Sequence, residues 1–214
     1  MPIECLIFDC DGTLVDSEKL GNQVVAEIFA EHGVTLDLGD LQRDYRGVFL
    51  TDMFSGLAEL HGVKLADDVI DDYRRRLRLI LPEQLEPIPG IHSVLESLPL
   101  PKCVATSAPQ DKLRLCLQVT KLRPYFGDNL FSAYDIQVWK PEPDLFLHAA
   151  NKMGFAPEQC VVIEDSPVGV AAGIAAGMTT IHFNHNGEYE MVSESVAVME
   201  QMEELPALLA IKDS

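Results

Sequence analysis

Residues 3–15, Ile-Glu-Cys-Leu-Ile-Phe-Asp-Cys-Asp-Gly-Thr-Leu-Val, constrain the fold more than any other stretch of the chain. An apolar run from Ile3 to Phe8 stops abruptly at Asp9-Cys10-Asp11-Gly12-Thr13. A short run of β-branched and aromatic residues closed by a turn signal predicts a strand buried on both faces. The acids follow its carboxyl end, where open α/β sheets place their ligand crevice. In extended chain, residues i and i+2 project to the same side, so Asp9 and Asp11 are expected to share one pocket. Gly12 permits the sharp exit from the strand. Two neighbouring carboxylates repel, and one keeps its proton unless a cation intervenes. That asymmetry suits a nucleophile beside a general acid–base group. A bound Mg²⁺, a hard cation that prefers oxygen ligands, is the alternative charge balance. The spacing alone also admits a plainer reading, in which both acids only cap the loop.

The rest of the chain organises itself around that strand. Apolar spacing predicts helices at about 17–32, 38–45, 51–61 and 67–81, with no strand between them. Residues 82–89 carry three prolines and read as a return linker. Beyond it the pattern alternates: helix 91–98, strand 102–106, helix 110–119, strand 129–133, helix 143–153, strand 160–164, helix 168–176, strand 179–183 and a last helix at about 202–211. Such alternation predicts an α/β fold, a Rossmann-like parallel sheet sandwiched by helices. The expected domains are residues 1–16 with 87–214 as the core and 17–86 as an inserted helical domain.

Thirty-four acidic against 16 basic residues give a formal net charge of −18, which argues against nucleic acid and anionic membranes as partners. An anionic substrate would therefore need a locally positive site. The five cysteines follow no C-x-x-C spacing, as expected of a reducing cytosol rather than a disulfide scaffold. Glu4 and the lack of a basic leading segment speak against a secretory signal, and no apolar run approaches the roughly 20 residues that span a bilayer. A cytoplasmic protein, monomeric or weakly dimeric, is the expectation.

Three further strand ends carry chemistry. Thr106-Ser107 follows the second strand, where a hydroxyl can bind a phosphate oxygen or cap the next helix. Lys140 precedes Pro141, so it sits in extended backbone and is presented from a loop. It is either a phosphate-binding point charge or a surface lysine placed unfavourably at a helix start. Glu164-Asp165 closes another apolar strand, where the acids could complete a Mg²⁺ site or Asp165 could cap the helix at Pro167.

Taken in order, Asp9-Cys10-Asp11-Gly12-Thr13, Thr106, Lys140 and Glu164-Asp165 resemble the signatures of the haloacid dehalogenase superfamily of phosphohydrolases. The resemblance implies a Mg²⁺-dependent phosphatase acting on a small phosphorylated metabolite. It implies Asp9 as nucleophile forming an aspartyl-phosphate and Asp11 as general acid and then base. Thr106 would bind phosphoryl oxygens, with Ser107 beside it, and Lys140 would hold the nucleophile and the phosphate charge. Mg²⁺ would be bound by Asp9, the Asp11 carbonyl and Asp165, with Glu164 adjacent. The helical insert is similar to the C1 cap of the phosphoglycolate phosphatase and β-phosphoglucomutase branch, in which Arg46-Gly47 matches a basic position facing the substrate. Arg74, Arg75, Arg76 and Arg78 are expected mostly to pair with nearby aspartates on a solvated helix face. Asp135-Ile136-Gln137-Val138-Trp139-Lys140-Pro141-Glu142-Pro143 resembles a subgroup that includes 6-phosphogluconate phosphatases. A β-phosphoglucomutase is the main alternative, weakened because Ala108-Pro109-Gln110 stands where that family carries Ser, Lys and Asn. A 2-haloacid dehalogenase would lack Asp11, and a phosphonate hydrolase would need a Schiff-base lysine in the cap. A non-catalytic binding protein on the same fold is the alternative from a different class.

Overall fold

The computed structural model describes residues 2–45, 48–185 and 196–212. Strand β1 (Cys5–Phe8) is followed by four helices: α1 (Glu18–Ala30), α2 (Leu38–Tyr45), α3 (Leu50–His61) and α4 (Val69–Gln84). Then come α5 (Ile91–Ser97), β2 (Lys102–Thr106), α6 (Gln110–Val119), α7 (Arg123–Phe126), β3 (Leu130–Ser132), α8 (Ala133–Ile136) and α9 (Asp144–Met153). The described chain ends with β4 (Cys160–Glu164), α10 (Pro167–Ala175), β5 (Thr179–Phe183), β6 (Ala197–Met199) and α11 (Leu205–Lys212). Two compact units result, residues 1–16 with 86–214, and residues 17–85.

In the first unit the strands form one parallel sheet in the order β3-β2-β1-β4-β5-β6. β1 lies at its centre, with Phe8 opposite Val104 of β2 on one side and Ile163 of β4 on the other. Every residue of β1 and β4 is buried, as continuous apolar runs require of strands covered on both faces. On one face Leu145, Phe146, Ala149 and Ala150 of α9 join Cys5, Ile7, Cys103, Cys160 and Val162 in a single cluster. Phe8, one residue out of phase with Ile7, instead meets the ring of Phe126 edge-on at 5.9 Å. Burial of each such aromatic contributes about 1.5–3 kcal/mol. All five cysteines are free and buried, and burial pushes the Cys116 thiol up to about 12. They serve here as small hydrophobes. The chain leaves β1 and returns side by side: Asp16 N–H donates to the Glu86 carbonyl at 3.1 Å and Ile88 N–H to the Leu14 carbonyl at 3.0 Å.

The helical unit has its own apolar centre, in which Phe54 of α3 stacks on Phe29 of α1 at 6.0 Å and meets Tyr73 of α4 edge-on at 5.8 Å. The arginine cluster largely forms a solvated face. Arg74 lies 3.8 Å from Asp71, Arg75 pairs with Asp72, and Arg76 reaches both Asp72 at 2.7 Å and Glu31 of α1 at 2.5 Å. Those contacts depress the Glu31 and Asp72 carboxyls, in each case chiefly through the Arg76 hydrogen bond.

Two expectations fail. The proline-rich stretch is not all linker, because α4 runs through Pro82 to Gln84. A proline in the last turn removes one hydrogen bond, a loss outweighed by burial of Leu77 and Leu81 on the same helix. The sheet also has a sixth strand, β6, an edge segment of three residues that is too short to show an alternation. No helix among the described residues is long and apolar enough to cross a membrane.

The packing of α10 on the sheet offers a test. A Cβ at Gly173 would lie 2.5 Å from Thr180 Oγ1 and 3.2 Å from its Cγ2. Overpacking of this kind costs about 1–3 kcal/mol, against up to ~1 kcal/mol gained by replacing a helical glycine. Gly173→Ala is therefore expected to lower the urea midpoint without changing the slope of the transition.

Candidate active site

From β1 the chain passes to β2 and β3 on one side of the sheet, and later to β4, β5 and β6 on the other. The crevice of such a sheet lies outside the carboxyl end of the strand where the order reverses. Asp9 emerges there, its N–H donating to the Ile163 carbonyl of β4 at 2.9 Å. On the neighbouring strand end stand Glu164 and Asp165. All three acids are buried, at 5%, 1% and 2% exposure, and their nearest oxygens lie within 4.8 Å of one another.

Lys140, itself 5% exposed, enters this cluster from the segment between α8 and α9. Its Nζ donates to Asp9 Oδ1 at 2.5 Å and to Glu164 Oε1 at 2.8 Å, and it lies 4.9 Å from the centre of the Phe146 ring. The other oxygen of Glu164 accepts from the Ser166 N–H at 2.6 Å and its hydroxyl at 2.9 Å. Ser166 also caps α10, accepting from Gly169 N–H at 3.2 Å. A Cβ at Gly169 would lie 2.0 Å from the Glu164 carboxyl carbon, so only glycine leaves room for this arrangement. Asp165 Oδ1 accepts from the Thr13 hydroxyl at 3.3 Å, and its carbonyl lies 3.1 Å from Nε2 of the buried His182. Gly12, at φ +82°, passes so close that a Cβ there would sit 2.1 Å from Asp165 Oδ2. Its positive φ and its lack of a side chain are both used.

Three buried carboxylates against one ammonium leave an excess of negative charge. Burial pushes the Asp9 carboxyl well above its ordinary range, and the charges of Glu164 and Asp165 add to this while Lys140 opposes it. Burial alone would depress Lys140, but Asp9 and Glu164 outweigh it and hold the ammonium above its ordinary value. A divalent cation with oxygen ligands matches this donor set and charge, so the residues present fit Mg²⁺.

Thr106 is buried at the end of β2, where its hydroxyl oxygen accepts from Ala108 N–H at 3.0 Å, whereas Ser107 is exposed. The loop they begin is held from β3 and α8, with Ser132 Oγ donating to the Ala108 carbonyl at 2.6 Å and Gln110 Nε2 to Asp135 at 2.8 Å. Asp11 does not join the three buried acids. Its Oδ1 instead accepts from Lys112 Nζ at 2.8 Å. Arg46 lies outside the described residues.

Against this geometry, the family model of haloacid dehalogenase-like hydrolases matches residues 3–177, from the strand carrying Asp9 to beyond Asp165. The chain belongs to this family. Among its relatives is the 6-phosphogluconate phosphatase of Escherichia coli K12, 36% identical over 210 residues that cover 96% of this chain and 94% of that one. The fold resembles that of a haloacid dehalogenase-like protein of Agrobacterium tumefaciens C58, with a TM-score of 0.88, 29% identity and coverage of 99% and 100% of the two chains. A haloacid dehalogenase family hydrolase of Deinococcus radiodurans R1, whose structure contains phosphate and sodium, gives a TM-score of 0.82 at 31% identity over 98% and 96%.

In this haloacid dehalogenase-like hydrolase the sequence singled out Asp9, Lys140, Glu164 and Asp165 separately, and the fold brings them together. Ser166 and Lys112, which contact Glu164 and Asp11, are not singled out by the sequence. Ser166 is hidden behind its ordinary role as a helix cap. Lys112 carries a weak signal, a cation in the first turn of a helix, where the dipole disfavours it.

Lys140→Met would leave Asp9 and Glu164 buried without their cation, a loss expected to cost about 3–5 kcal/mol. Without Lys140 the Asp9 carboxyl rises further, and a carboxyl raised in the folded state adds stability at low pH that is lost as pH climbs through its folded value. The deficit against wild type, measured by urea unfolding in EDTA, should thus be larger at pH 7 than at pH 5.

Proposed function

We propose that the protein is a Mg²⁺-dependent phosphatase that hydrolyses a small phosphorylated sugar or aldonate, such as 6-phosphogluconate, through an aspartyl-phosphate. The observation that carries the reading is Asp9 held by the buried Lys140 beside Asp165. It is supported by the family, by the activity of the E. coli relative, and by the phosphate in the Deinococcus structure.

An Asp9 carboxylate oxygen attacks phosphorus while the bond from phosphorus to the leaving oxygen breaks. Asp11 gives its proton to that oxygen. It then takes a proton from water, whose oxygen attacks the phosphoryl group and releases Asp9 and inorganic phosphate. Lys140 fixes the direction of the attacking carboxylate and faces the charge on the transferring group, while Glu164, tied to Ser166, keeps Lys140 in place. Thr106, with Ser107 beside it, receives phosphoryl oxygens at the end of β2. The Asp9 and Asp165 carboxylates and the Asp11 carbonyl would hold Mg²⁺, with Glu164 adjacent. When bound, the ion neutralises charge on the phosphoryl oxygens. A cytoplasmic location fits the free, buried thiols. The mutase alternative is not adopted, because Lys112, the first cation after Ala108-Pro109-Gln110, is engaged with Asp11.

Phosphate release from a panel of 6-phosphogluconate, hexose phosphates, phosphoglycolate and nucleotides tests the proposal. Release should require Mg²⁺, stop in EDTA and favour the sugar and aldonate phosphates. Asp9→Asn should abolish turnover, and Asp11→Asn should lower it about 10²–10⁴-fold. Wild-type turnover by Asp9→Asn would rule out the assigned nucleophile.

A further inference from the structure

Asp11 is fixed by two separate parts of the chain. Its main chain lies in a tight turn, in which Leu14 and Val15 N–H donate to the Cys10 carbonyl at 2.9 and 3.1 Å and Gly12 N–H to the Val15 carbonyl at 2.9 Å. Its carboxylate is met from α6, 101 residues further on, by Lys112 Nζ at 2.8 Å. Lys112 is the third residue of that helix, where the dipole disfavours a cation. A local rule broken without local gain tends to mark function. The two side chains are 26% and 24% exposed, and pairs this accessible to solvent add little to stability. What such a contact does supply is direction, because it favours one orientation of the carboxylate it meets.

We propose that Lys112 is a positioning residue for phosphoryl transfer, holding the Asp11 carboxylate through Oδ1 in the orientation from which it exchanges protons. The inference rests on the phosphatase reading above and adds a residue to it. The proton moves from Asp11 to the leaving oxygen and returns to Asp11 from the attacking water. Lys112 gives up no proton and makes no bond to substrate. Its loss should therefore act on the rate and not on substrate affinity, and only while Asp11 is present.

The experiment compares wild type, Lys112→Met, Lys112→Arg, Asp11→Asn and the double variant Asp11→Asn/Lys112→Met, in Mg²⁺. Substrates are 6-phosphogluconate and p-nitrophenyl phosphate, whose leaving group departs without a proton. Lys112→Met should lower kcat on 6-phosphogluconate about 10–100-fold, with KM changed less than about twofold. Lys112→Arg should restore most of the rate, and the melting temperature of Lys112→Met should stay within about 2 °C of wild type. On p-nitrophenyl phosphate both Lys112→Met and Asp11→Asn should give a burst near one nitrophenolate per chain, then slow turnover. In the Asp11→Asn background Lys112→Met should cost less than about a further twofold. The inference is overturned by a kcat within about twofold of wild type, by a raised KM at unchanged kcat, or by an equal loss in the Asp11→Asn background. A wild-type enzyme that releases no phosphate from any ester would sink the phosphatase reading, and this inference with it.

Discussion

The buried ion pair of Lys140 with Asp9 and Glu164 is the interaction on which the rest of the site depends. An ammonium taken out of water is costly unless its charge is met at close range, and here two carboxylates meet it at 2.5 and 2.8 Å. Each carboxylate sits at the end of a central strand, so the sheet fixes the spacing between them. Ser166 secures the far oxygen of Glu164, and the absent side chain of Gly169 leaves room for that carboxylate. A change in any link of this chain is felt at Asp9.

The two aspartates of the first turn stand two residues apart yet in opposite surroundings. Asp9 is buried among carboxylates and faces a lysine that is also buried. Asp11 is part-exposed and faces a lysine that is part-exposed too. The division arises from the sharp exit at Gly12, which turns the chain away from the sheet directly after Asp11.

Much of this was legible from the residues alone. β1 and β4 are legible as buried apolar runs that end in acids, β2 and β5 as strands of an alternating helix–strand pattern, and the bounds of α2 and α6 match those expected from the sequence. The acids stand out because polar residues at the ends of such runs break the pattern, and Lys140 because the proline after it holds it in extended backbone. β6, α7 and α8 do not, since three or four residues cannot display a period. Pro82 misled, because propensity at one position weighs less than burial of the helix face around it. The contact of Asp11 with Lys112 joins residues 101 positions apart, and nothing in either neighbourhood names the partner.

The Mg²⁺ proposed for this site would be held by the Asp9 and Asp165 carboxylates and the Asp11 carbonyl, beside the ion pair of Lys140. Calorimetric titration of Mg²⁺ into EDTA-treated, dialysed protein tests this most directly. One ion per chain is expected, with a melting temperature that rises with Mg²⁺ concentration and binding at least about tenfold weaker in Asp165→Asn. Folded wild-type protein that binds no Mg²⁺, or an Asp165→Asn variant that binds it as tightly, would rule out a metal site at these residues.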